Sequence, residues 1–550
     1  MLFDKFIPKK HVDVPAPQEN EFEGTLRFAQ MGYADSMVSL GKMYEEGKLV
    51  ERDDRKAVEW YLRAAKFSSP IAQCHVGLMY AFGRGVERNT SKAVEWLRKS
   101  ANQGDPAAHY HLAQMYEEGR GVAKEELRAL ELYRAAARLG HSEALYRLAL
   151  LYQEGVMVAK SETKAFENFR AAADQGHPEA LYRLGLIFEE GGVAKKDSGA
   201  AISYHTKAAA QGNVEAQYHL GVIYAEGELT ATDGAKAVEY LAMAADQEHV
   251  EAQYRLGMIY EEGSLIERDD VKAVEYLQRA ADQGHVEAQC YLGILYEEGR
   301  YLTKDEAKAA EWYRRAIDQG CSTAQCRLGL MYGEGRGVPR DAARAADLLQ
   351  RSAWQEDPTA QYHLAVMYEK GIGIQKDNKR ALDLFHAAAE HGNGAAQFKL
   401  GLMYETGRGL EKNDIEAAQW YRKAAEQGHA QALCNLGLMH IAGRGAIKDD
   451  ALAVRCFREA IELGSATAQY NLGRMYAMGC GVPKDVFKAA ECYRKAADEG
   501  HAHARAALGL AYYHGDGVIR DLDKARVLLR EAAEQGVKQA IDFYNKYCVT

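Results

Sequence analysis

The sequence predicts an all-α protein: an αα-hairpin solenoid (superhelix) of about fourteen 36-residue repeats with terminal capping helices. Three observations predict it. A leucine-type position recurs at Leu40, Val76, Leu112, Leu148, Leu184, Leu220, Leu256, Leu292, Leu328, Leu364, Leu400, Leu436, Leu472 and Leu508, each step 36 residues. A glycine stands seven residues after each of them, from Gly47 to Gly515. Apolar residues between these marks fall at helical spacing, as at Ala252, Leu256, Ile259 and Tyr260. A constant period of this size marks stacked units that each contact their neighbours.

The repeat overrides what length alone suggests, since 550 residues would otherwise read as three or four domains. Only nine prolines fit a helical array, because proline costs about 3 kcal/mol inside a helix. The net charge of −10 disfavours nucleic acid as a partner, since phosphate binding needs a basic surface. The start MLFDKFIPKK has no apolar run of the kind that follows a basic secretory leader. No segment approaches the ~20 apolar residues that cross a bilayer, so no membrane insertion is expected. Nine scattered cysteines read as reduced thiols, and a cytoplasmic location is expected.

Taken in order, residues 1–19 lie outside the repeat, and Pro8, Pro15 and Pro17 argue against one continuous helix there. They read as a mobile arm; a docking peptide led by Leu2, Phe3, Phe6 and Ile7 is the functional alternative. Residues 20–32 match the second half of a repeat and read as a capping helix. The fourteen repeats occupy 33–536.

Each repeat carries two helical patterns. The first, about 251–262 in the clearest copy, ends at Gly263, where glycine supplies a left-handed stop. Asp269 and its equivalents read as N-caps of the second helix, each contributing about 1 kcal/mol; Glu125 is the poor cap. In the second helix, about 270–283, Ala273 and Ala280 form a small stripe for close packing. A bulky column, Trp60, Trp96, Tyr240, Tyr276, Trp312 and Trp420, is expected to interdigitate with it. That helix ends at the Gly284 register, where Ser68, Glu248 and Glu356 replace glycine and predict irregular turns. Residues 537–550 begin another first helix at Ala540 and read as the C-terminal cap.

The pattern A-x3-L-G-x2-Y-x2-G, then D-x3-A-x6-A-A-x2-G, resembles the Sel1-like repeat family, relatives of the tetratricopeptide repeat. Ala252, Leu256, Gly257, Tyr260, Gly263, Asp269, Ala273, Ala280, Ala281 and Gly284 carry it. The departures are local: Ala113, Ala149 and Ala365 replace the glycine of the L-G pair, and His440 replaces the tyrosine. The resemblance implies first helices lining a concave side and scaffold or adaptor function through protein contact. It transfers no catalytic residue.

On that implied groove, one column includes Arg147, Arg183, His219, Arg255, Tyr291, Arg327, His363 and Lys399. Seven residues on lies an acidic column that includes Glu190, Glu226, Glu262 and Glu298. Two readings fit: a groove for an extended peptide or helix, or salt links between neighbouring repeats. From about residue 433 the face turns less charged, with Asn435, Asn471, Ile441, Ala442, Ala477 and Met478, which suits an apolar anchor.

The imidazoles His75, His111, His219 and His363 carry no carboxylate cluster in the sequence pattern, so no metal and no cofactor is expected. Cys290 with Cys326, and Cys456 with Cys492, are one repeat apart and read as buried thiols. No HExxH, GxSxG or CxxC occurs, and the GRGV loops are turns without a phosphate-loop context. The function expected is a non-catalytic, monomeric scaffold or adaptor for a protein or peptide partner. An exported effector using a non-Sec route is the alternative from another class. An envelope-associated hydrolase or regulator is a third.

Overall fold

A computed structural model describes residues 21–547. The arm at 1–19, with its proposed docking peptide, lies outside the described residues. Among those described, thirty α-helices follow one another in antiparallel-type pairs and no strand occurs. Each full repeat supplies a first helix, such as Pro70–Phe82, and a second, such as Thr90–Ala101. Glu21–Gln30 precedes the first repeat and buries Ala29. Lys538–Tyr547 follows the last and buries Ala540. The chain divides into two compact units at Asp269/Asp270. Within each unit a first helix packs on the second helix of its own repeat and on the second helix before it.

Local chemistry sets these elements. The fourteen glycines that end the first helices all have positive φ, between 63 and 84°. The second helices are capped as expected: Asp53 accepts from the N–H of Arg55 and Lys56, and Asn89 from Lys92. Glu125 makes no such bond. The first helices have caps the sequence reading left unassigned. Six are imidazoles, His141, His177, His249, His285, His429 and His501, whose Nδ1 accepts an alanine N–H. The irregular turns fall where expected, with φ of +59° at Ser68, +64° at Glu248 and +63° at Glu356.

The core follows the repeat. The leucine column is buried throughout, and Leu256 is 0% exposed; each such side chain contributes about 2 kcal/mol. The alanine columns are buried too, and where serine replaces alanine it is satisfied: Ser100 donates to the Pro70 carbonyl at 2.7 Å. The bulky column is corrected by one residue. The side chains sealed between helices are Tyr61, Tyr133, Phe169, Tyr313, Phe385, Tyr421 and Phe457. Glycine on the facing first helix makes room, since a Cβ at Gly293 would lie 2.4 Å from the Tyr313 ring. Trp60 and Trp96 are half-buried and Trp312 and Trp420 buried but not sealed, each under a cation three residues on, as with Lys423 at 4.1 Å from the Trp420 ring.

A glutamine ladder joins neighbouring repeats. Gln217 donates to the Ala209 carbonyl and accepts from Gln247 at 2.7 Å. The same relay recurs where Gln427 donates to Gln397. Such buried amides are tolerated because both ends are bonded. No helix is long and apolar enough to cross a membrane among the described residues.

Candidate functional site

The functional candidates sit on the first helices, so the question is what each side chain meets. The answer is a node repeated between neighbouring repeats. A glutamate at the end of one first helix takes a hydroxyl from the second helix of its own repeat. It also takes a cation from the first helix of the next repeat or from the turn that follows that helix. Glu45 accepts from the Tyr61 hydroxyl at 2.7 Å, lies 3.5 Å from His75 and meets Arg84 at 2.9 Å. These partners pull the Glu45 carboxyl down to about 2, the His75 hydrogen bond first, against its partial burial. Glu117 accepts from Tyr133 and pairs with Arg147. Glu297, nearly sealed, accepts from Tyr313 at 2.7 Å and meets Arg327 at 3.6 Å and Arg336 at 2.9 Å. Glu369 meets Lys399 at 3.0 Å. Glu405 accepts from Tyr421 and meets Arg444 at 2.8 Å.

The basic column therefore lands where the sequence places it, but its partner column is one residue earlier than expected. Glu117, Glu189, Glu297 and Glu369 hold the cations, not Glu190, Glu262 and their equivalents. Arg255 is the exception that explains the rule. Ala225 stands at the inner position there, so Arg255 turns to Glu226 at 2.8 Å and to Glu251 on its own helix. Glu298 lies 3.9 Å from Arg327 and 2.8 Å from Arg300. Glu262 accepts from Ser264, and Glu190 is exposed with no cation within 4 Å among the described residues. Salt links between repeats thus account for Arg147, Arg255, Arg327 and Lys399. Tyr291 is half-buried beside Arg300.

Two members of the basic column have no such link. Gln153 and Gly333 replace the inner glutamate before Arg183 and His363, and no carboxylate lies within 4 Å of either among the described residues. His363 is held below its ordinary value by burial. The less charged end is a physical cleft. Ala477 and Ala507 replace glutamate and cation there, and a hollow of about 320 Å³ opens, lined by Ala477, Lys484, Tyr493, Ala507, Leu510 and Asp516. Of the other residues at this end, Asn435, Ile441 and Ala442 lie on the helix Ala430–Ala442 and Asn471 and Met478 on Ala466–Met478; Asn471 is buried and Met478 54% exposed.

One node departs from the pattern in another way. At Glu189 both partners are imidazoles, His205 and His219, so the expectation that no carboxylate joins the histidines fails there. His205 was not singled out, because its equivalents are tyrosine, phenylalanine and leucine. Of the cysteines, Cys290 faces Cys321 in the next repeat, not Cys326. All eight described thiols are free.

Comparison with known proteins places this architecture. A structure of a protective antigen present in uropathogenic Escherichia coli strains, displaying an SLR fold, is 26% identical with a TM-score of 0.56; the match covers 96% of this chain and 98% of that one. A Sel1 repeat protein from Oxalobacter formigenes is 33% identical over 57% of this chain and 92% of its own, with a TM-score of 0.47. An immunity protein from Pseudomonas aeruginosa matches at 22% identity and a TM-score of 0.30 over 39% of this chain and 81% of that one. No curated protein matches. The family model described as Sel1 repeat matches fourteen successive segments, from 34–66 to 502–537. Helix pairs, caps and period agree with that match throughout: the chain belongs to the Sel1 repeat family.

Proposed function

We propose that the chain is a non-catalytic interaction module that holds a protein partner against the faces of its first helices. The observation that carries this reading is the cleft at Ala477 and Ala507. Where the node is complete, as at Glu117 with Arg147 and Glu369 with Lys399, the equivalent space is filled by a glutamate and its cation, which spend their charge on joining repeats. Here both are alanine, and the fold keeps about 320 Å³ open beside Tyr493. An apolar side chain of a partner segment fits that space, with Lys484 and Asp516 at its rim for the segment's polar groups. Arg183 and His363 add positions that could engage carboxylates, in the manner of a groove for an extended peptide.

The test is site-specific photocrosslinking from position 507 in the source cells, with Ala511→Trp as the blocked control. A discrete crosslinked protein that disappears with Ala511→Trp supports the reading. Equal crosslinking with the cleft filled would count against it. Changing Arg183 to Glu should weaken binding of the same partner if the groove reading holds.

A second reading, an exported effector, is favoured by the similarity to the protective antigen of uropathogenic Escherichia coli strains. A cytoplasmic scaffold and an exported one differ in where the protein is recovered. Fractionation of tagged protein into cell and culture supernatant decides between them. Recovery in the supernatant without lysis would remove the cytoplasmic reading.

A further inference from the structure

We propose that Glu189, His205 and His219 form a binding site for a first-row transition-metal ion of the zinc type, tying the fifth repeat to the sixth. The three side chains offer one ligand atom each, all within 4.8 Å of one another. His219 Nε2 lies 2.7 Å from Glu189 Oε2, and His205 Nε2 lies 3.5 Å from the same oxygen. His205 is 0% exposed, and neither ring nitrogen has a hydrogen-bond partner. A buried imidazole left in that state costs free energy unless something satisfies it.

The node's own repetition sharpens the case. At Glu117 the partners are Tyr133 and Arg147, and at Glu297 they are Tyr313 and Arg327. Phenol and guanidinium are donors, and they saturate a carboxylate. In the fifth and sixth repeats both donors are replaced by imidazoles, which carry lone pairs in their neutral form. Gly185 leaves the room this needs, since a Cβ there would lie 2.4 Å from the His205 ring. Tyr182 flanks both rings, at 5.4 Å from His205 and 6.1 Å from His219. Full burial favours the neutral imidazole at His205, which is the form that binds metal.

Two nitrogens and one carboxylate oxygen suit zinc and its neighbours; calcium and magnesium take oxygen ligands. Zinc bonds of about 2.0–2.2 Å at tetrahedral angles separate ligand atoms by roughly 3.3–3.5 Å. The His205–Glu189 separation already matches. His219 and Glu189 must part by roughly 0.6 Å, and their side chains, 24% and 20% exposed against 0% for His205, are the ones with room to adjust. Three protein ligands leave a fourth position for water or another donor.

The experiment is titration of metal-free full-length protein with zinc chloride, read by calorimetry and by the unfolding midpoint. Visible absorption of the cobalt(II) form and zinc-edge X-ray absorption report the ligands. The wild type should take up one equivalent at this site, gain stability with zinc, and give a spectrum of two imidazoles and one carboxylate. The double variant H205Y/H219R rebuilds the trio seen at Glu117, Tyr133 and Arg147, so it should stay folded while losing affinity more than ~100-fold. His219→Arg alone serves if the double variant does not fold. No zinc uptake by the wild type, unchanged uptake by the folded variant, or a spectrum of oxygen ligands alone would each overturn the proposal.

Discussion

The Tyr313 hydroxyl donates to Glu297 Oε2 at 2.7 Å across the two helices of one repeat, and Arg336 of the next repeat reaches the other oxygen at 2.9 Å. Glu297 is 7% exposed, so its charge is offset by these bonds rather than by water. The pair closes a repeat, and the arginine couples it to its neighbour.

Glu297→Ala should therefore cost about 2–3 kcal/mol, because it strands the Tyr313 hydroxyl in a buried site and leaves Arg327 and Arg336 to more exposed partners such as Glu298 and Glu334. Tyr313→Phe should cost less, about 1 kcal/mol, since Arg327 and Arg336 still satisfy the carboxylate. Urea unfolding followed by circular dichroism measures both. Equal losses would mean that the arginines add nothing.

Glu248 and Glu356 occupy a glycine register with φ of +64° and +63°. A side chain in the left-handed region costs roughly 1–2 kcal/mol, partly offset by the greater freedom of glycine in the unfolded chain. Glu248→Gly and Glu356→Gly should each raise stability by about 0.5–1 kcal/mol in the same assay. A loss in either would show that the turn is held by its side chain.

Much of this architecture was legible because the period is constant. Leu256, Gly263, Ala273 and the Asp269-type caps announce themselves by recurrence, and each has a local physical reason that needs no neighbour. What failed was rotation. Trp60 and Tyr61 are both large and adjacent, as are Glu297 and Glu298, and one step around a helix is about 100°. Which of two adjacent residues faces the next repeat depends on how the helices pack, and packing is not written in either residue. The columns were thus placed one position off, at Trp60 for Tyr61 and at Glu298 for Glu297. His205 was missed for a related reason: its role comes from the two side chains that meet it, and neither stands near it in the chain.

The thiols should differ sharply in reactivity. Cys321, half-buried at the start of the helix Ser322–Glu334, is held down to about 6, chiefly by a hydrogen bond from Cys290. Cys290 is pushed up by the same bond and by burial, and burial raises Cys326 to about 12. Iodoacetamide at pH 7 should modify Cys321 at least ~10-fold faster than Cys290 or Cys326, read by peptide mass spectrometry. Earlier labelling of Cys290 would reverse the assignment of the thiolate.

Stability should fall on mild acidification, and the histidines fix the window. His141, His429 and His501 cap first helices through Nδ1, accepting the N–H of Ala144, Ala432 and Ala504 at 3.3, 3.2 and 3.1 Å. Burial lowers all three, and His205 is lowered to about 4. The facing titratable groups are His111, Glu143 and Asp105 at His141, His503 at His501, and His219 with Glu189 at His205. A folded state that keeps imidazoles neutral binds fewer protons than the unfolded chain below its ordinary value of 6.5. The stabilisation is therefore complete above 6.5 and declines as pH falls from there toward about 4. His429→Asn and His501→Asn should flatten that decline with little loss at pH 7.5, because Asn213 and Asn393 hold the same cap position with bonds of 2.8 and 2.9 Å. Urea midpoints taken at intervals across this range check it, and an undiminished acid slope in the double asparagine variant would clear the capping histidines of the effect.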